Sequence, residues 1–146
     1  MSSTMFVRVV NEVNDLWVGQ TDEVPDVRLP PGWPSPVRPP GAAGWQRSAV
    51  AWLLDQCPPE YRAHRAITGQ PVALAWLAAY HVLAQGRANT AARAVARADL
   101  RDVLAAHELE AVIGALEHEH ARLLATHRSV GLVQDALRGL DYVPRL

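Results

Sequence analysis

Leu109, Leu116, Leu123, Val130 and Leu137 recur every seven residues without a miss. An α-helix turns once in 3.6 residues, so such a row makes one continuous apolar seam that has to be buried against another helix. The pattern predicts a single helix of about 33 residues starting near His107, roughly 50 Å long at 1.5 Å per residue. Gly139 is the expected stop, because glycine readily adopts the left-handed conformation that closes helices. At 100° per residue, Leu100, Val103 and Leu104 point away from the Leu109 row, so a break is expected between residues 100 and 107.

The adjoining seven-residue row reads Ala106, Ile113, His120, His127 and Gln134. Polar residues at a seam cost stability but can fix register or oligomer state. A buried histidine loses packing when it becomes charged, so one reading of His120 and His127 is that helix association weakens below about pH 6; the preferred reading is that both reach solvent at the edge of the seam.

Upstream, Trp45, Ala49, Trp52, Leu53 and Gln56 share one helical face, and Pro58-Pro59 ends that helix. A short turn or helix over residues 60–67 leads to Pro71, well placed as a first helical residue. From Pro71 to about Gln85 the pattern is apolar almost all round. Leu74, Leu77, Ala78 and His81 lie on one side, and Val72, Trp76, Ala79 and Leu83 on another. A helix without a polar face is packed against on several sides, which makes it the expected centre of the domain or of a dimer. Gly86 is then read as a stop and Asn89 or Thr90 as a fresh N-cap. The next segment carries Arg93, Arg97 and Arg101 along one face.

The first 43 residues read differently. Phe6–Val10 and Leu16–Val18 have the composition of two short strands, which gives a short β-hairpin. Seven of the sixteen residues from Pro25 to Pro40 are proline, which fixes φ and removes donors, so an extended or polyproline-like arm is expected. Trp17, Trp33 and Trp45 bracket it. Indoles of that size are buried, on the chain's own helical body or on a partner. Packing on its own body, exchange between subunits included, is preferred.

The 146 residues and 16.0 kDa suit one ordinary domain, and 49% hydrophobic with 20% charged residues is a globular composition. All 14 cations are arginine and 24 residues are alanine, as in the coding bias of a GC-rich bacterial genome. Having no lysine excludes Schiff-base chemistry, a P-loop lysine and a Ser–Lys dyad. A formal charge of −1 disfavours nucleic acid and anionic membrane as partners. One cysteine, Cys57, and an N-terminus without a basic and apolar leader point to the cytoplasm.

Chemistry is sparse. Glu117 and His120 have the i, i+3 spacing of di-metal helical bundles, but no second Glu-x-x-His is present. His118 and His120 point about 200° apart on a helix, and His120 and His127 lie about 10.5 Å apart along it, so neither pair holds one ion. The minimal metal site that remains is His81, Glu117 and His120, with core or seam histidines the preferred reading. Arg93, Arg97 and Arg101 could contact an anion, but Glu108, Glu110, Glu117 and Glu119 on the final helix are ready ion-pair mates. No Gly-x-Ser-x-Gly, Gly-x-Gly-x-x-Gly, His-Glu-x-x-His or Cys-x-x-Cys occurs.

The sequence therefore predicts a mainly all-α fold. It is a bundle of three to five helices (44–146) with a long C-terminal helix, preceded by a Pro/Trp-rich arm (1–43). The expected function is a non-enzymatic protein–protein interaction module: an adaptor, regulator or small structural subunit that forms a homo-oligomer and needs no cofactor. The interaction residues are expected to be Trp17, Trp33, Trp45 and the Leu109, Leu116, Leu123, Val130, Leu137 row. The alternatives are a metal- or cofactor-binding helical protein using His and Glu side chains, and, more weakly, nucleic-acid binding through the arginine-lined helix.

Overall fold

The computed structural model describes residues 28–140, which leaves the Phe6–Val10/Leu16–Val18 hairpin and Trp17 outside the described residues. The described chain is helical with turns and no strand. Helix α1 (Trp45–Asp55) is followed by a 3-10 turn (Pro59–Ala63) and the one-turn helix α2 (Arg65–Thr68). Two long helices then form an antiparallel hairpin, α3 (Pro71–Leu100) and α4 (Ala106–Leu137), of 30 and 32 residues. Each is about 45–48 Å long. No described helix is long and apolar enough to cross a membrane.

Local signals explain most of the boundaries. Pro58 and Pro59 cannot continue α1, whose last turn closes with Gln56 N–H donating to Leu53 O at 3.0 Å. Pro71 opens α3 at the position where its missing N–H would be unsatisfied anyway. Gly139, at φ 74°, ends α4: its N–H donates to Ala136 O and that of Leu140 to Asp135 O, which satisfies two terminal carbonyls. The expected break before residue 107 is the five-residue turn between α3 and α4. There the Val103 and Leu104 N–H groups both donate to Leu100 O.

Gly86 does not stop a helix, and neither Asn89 nor Thr90 caps one. Helix α3 runs unbroken through all three. A helical glycine costs only about 1 kcal/mol relative to alanine, and the packing of α3 along α4 outweighs it. Asn89 is instead buried between the helices. Its Nδ2 donates to Leu116 O across the hairpin at 3.0 Å, and its Oδ1 accepts from Arg93 Nε at 3.0 Å.

The seven-residue row is the seam of this intramolecular hairpin. Leu109, Leu123 and Val130 are buried, and Leu116 and Leu137 are half-buried. The core has a basal and a distal part. At the base, Val37, Ala49, Leu53 and Cys57 meet Leu74, Ala75 and Ala78 of α3 and Val130 and Val133 of α4. At the hairpin tip, Ala96, Leu109 and Ile113 pack with Leu100 and Leu104.

Within the described part of the arm, the prolines start tight turns where extended chain was expected. Pro30 O accepts from Trp33 N–H, Pro34 O from Val37 N–H and Pro39 O from Ala42 N–H, at 3.0–3.1 Å. Proline's fixed φ suits the second position of such turns, and Pro31 and Pro40 occupy it in the first and third. The turns fold back on the helical body. Trp33 and Trp45 are half-buried against the basal core, Trp33 Nε1 donates to Val37 O at 2.9 Å, and Ser129 Oγ of α4 donates to Gly32 O at 2.7 Å.

Candidate functional site

Helix α1 joins the hairpin on one flank only. Val133, which shares the basal core with α1, projects about 80° to one side of Leu123 on α4, whereas His127, His120 and Leu124 project about 40–100° to the other. That second flank carries no third helix among the described residues. On it the two long helices leave a groove of about 440 Å3. Val82, Gly86, His120 and Leu123 are its less exposed residues. Leu83, Arg87, Thr90, Ala91 and Ala94 wall it from α3, and Leu124 and His127 from α4.

The same face of α3 continues beyond the groove toward its N-terminus. By helical projection Val72, Trp76, Tyr80, Leu83, Arg87, Thr90 and Ala94 fall within about 80° of one another. Trp76 is 48% exposed and Tyr80 59%, and their rings stack edge to face with centroids 4.8 Å apart. Val72, Leu83 and, on α4, Leu124 are exposed too. Among the described residues the all-round apolar pattern of residues 71–85 is thus only partly covered. The Leu74–Ala78 side is buried, while the Val72–Trp76–Leu83 side is open.

The residues singled out in the sequence fall in several places. Leu109, Leu116, Leu123, Val130 and Leu137 belong to the hairpin seam, and Trp33 and Trp45 pack on the basal core. Arg97 forms a two-pronged ion pair with Glu110 across the hairpin at 3.0 and 3.2 Å, Arg93 holds Asn89, and Arg101 is exposed. Glu119 pairs within its own helix with Arg122, which holds its carboxyl below the ordinary range.

His81, Glu117 and His120 are not gathered into a centre. No three His, Cys, Asp or Glu side chains among the described residues are placed to hold a metal ion. His81 projects to the flank of α3 opposite the groove, and Glu117 is exposed. His127 is exposed on the open flank. His120 is half-buried, and its Nδ1 is sealed from solvent without a hydrogen-bond partner. Burial pushes the Cys57 thiol above its ordinary pKa, against a smaller opposing pull from Arg62.

The seven-residue row directed attention to the intramolecular seam and away from Trp76, Tyr80, Leu83 and Leu124. The signal that could have found them was the second apolar side of residues 71–85.

No family model, no curated protein and no solved structure matches the chain.

Proposed function

We propose that this chain is a non-enzymatic protein–protein interaction module whose binding surface is the open flank of the α3–α4 hairpin. One observation carries the reading. An apolar face including exposed Val72, Trp76, Tyr80, Leu83 and Leu124 lies beside an apolar groove between two long helices. Burying such a face is favourable at about 25 cal/mol per Å2 of apolar area, and tryptophan and tyrosine are typical anchors of protein interfaces. The groove runs along the helices, the shape that accepts an apolar helix face. Between Pro71 and Ala92 the only charged residue is Arg87, which matches the loss of charge at interface centres.

The test is affinity capture from the source organism, followed by native mass spectrometry of the eluted complex. Wild-type chain is expected to carry a stoichiometric protein partner, another protein or a further copy of itself. Leu83→Glu combined with Leu124→Glu is expected to lose it while keeping wild-type helicity by circular dichroism. Recovery of bare single chain, or a partner that both proteins retain equally, overturns the reading.

A further inference from the structure

We infer that the occupant of the open face is a second copy of this chain, packed antiparallel about a two-fold axis near residues 83–84 of α3. This rests on the interaction-module reading and names its partner.

The face is divided into a bulky half and a hollow half. Toward the N-terminus of α3 it carries Val72, Trp76, Tyr80 and Leu83, all exposed. Toward the C-terminus the same face carries Arg87, Thr90 and Ala94, flanked by Gly86 and Ala91, and there the groove opens. A two-fold interface brings one patch against itself in reverse, so a protrusion on one side of the axis has to meet a recess on the other. With the axis between residues 83 and 84, position 76 faces position 91 of the second copy and position 80 faces position 87. Trp76 then enters the recess walled by Thr90, Ala91 and Ala94. Tyr80 meets Arg87, a guanidinium over an aromatic ring. The two Leu83 side chains adjoin at the axis. The two Arg87 positions are about 10 Å apart along the helices, far enough to avoid close repulsion.

The area is sufficient. From Val72 to Ala94 the face is about 33 Å long, and two helices lying 8–10 Å apart make it about 20 Å wide. That is about 650 Å2 on each copy and about 1,300 Å2 in total, above the roughly 1,000 Å2 expected of a specific interface. The second copy covers the Trp76–Tyr80 pair and the groove together, whereas a small apolar ligand in the groove leaves that pair in water. The result is a layer of four long helices, two from each chain, with both α1 helices on the outside.

Sedimentation equilibrium of the full chain from 1 to 100 μM provides the test. Wild type is expected at twice 16.0 kDa in the upper part of the range. Trp76→Ala and Ala94→Trp, one removing the bulk and the other filling the recess, are each expected to weaken the dimer at least about 100-fold, because every lesion occurs twice in a two-fold interface. Val103→Asp, at the hairpin tip, is expected to change nothing. Circular dichroism of each variant checks that helicity is retained.

Nitroxide labels on Arg101→Cys fix the arrangement, with wild type as the control for the buried Cys57 thiol. Antiparallel helices crossing at 83–84 put the labels about 50 Å apart, and parallel ones under about 25 Å. A monomer at 100 μM, a dimer insensitive to both face variants, or a short label distance each overturns the inference. A wild-type monomer that still captures another protein through Leu83 and Leu124 overturns this inference alone. A monomer that captures nothing overturns the interaction-module reading as well.

Discussion

Asn89 is the one polar residue buried in the described core, at 7% exposure, and substituting it tests how the hairpin holds its register. Its amide joins the helices halfway along: Nδ2 donates to Leu116 O, and Oδ1 accepts from the Arg93 guanidinium. Asn89→Ala removes both bonds. The first contributes about 1 kcal/mol net, and the second about the same once the partial exposure of Arg93 is allowed for. The expected loss is about 2 kcal/mol. With an m-value of about 2 kcal/mol/M, the urea midpoint falls by about 1 M at unchanged m, and Tm falls by about 4–8 °C.

Asn89→Leu separates the polar bond from simple filling of space. It restores bulk and leaves the Leu116 carbonyl with its own intrahelical bond, so it is expected to cost less than about 1 kcal/mol. Unfolding is followed by circular dichroism at 222 nm and at one fixed protein concentration, since association would shift the apparent stability. If Asn89→Ala lies within 0.5 kcal/mol of wild type, the amide does not hold the hairpin as argued.

Four further outcomes follow from local geometry. Gly114 lies inside α4 with nothing within 4 Å of an added Cβ, so Gly114→Ala should raise stability by about 0.5–1 kcal/mol. Gly139→Ala, at φ 74° in equally open space, should lower it by about 1 kcal/mol; equal effects in thermal melts would refute the backbone argument. Burial both shields the Cys57 thiol and raises its pKa, so native protein at pH 8 should react with a disulfide reagent about 100-fold more slowly than protein in 8 M urea. That raised pKa also sets a sign: the contribution of Cys57 to stability is complete below the unfolded thiol's pKa and is lost as pH rises through the folded one. Glu119 has the opposite sign. Its pKa is lowered, chiefly by the Arg122 hydrogen bond, so its contribution is present above the ordinary value of 4.5 and is lost as pH falls through the folded value. Because the pair is surface-exposed, Glu119→Gln should cost no more than about 0.5 kcal/mol near pH 6 and nothing at pH 2, read from melts across that range.

The sequence by itself determined the features that depend on period and on backbone chemistry. The Leu109–Leu137 row specified one long helix, Pro71 its neighbour's start, Pro58-Pro59 the end of α1, and Gly139 the final stop. Each is legible from 3.6 residues per turn, a missing N–H or a left-handed φ, without knowing what lies opposite. Tertiary structure decided whatever depends on what lies opposite. Gly86 and Asn89 look like a stop and a cap when read locally, yet contact along α4 carries α3 straight through them and turns Asn89 into a link across the hairpin. The prolines of residues 30–40 limit the backbone equally well to extended chain or to turns, and packing of Trp33 and Val37 on the basal core selects turns. The apolar belt of residues 71–85 shows that several faces want covering. The position of α1, on one flank of the hairpin, makes the Trp76–Tyr80–Leu83 face the one left open among the described residues.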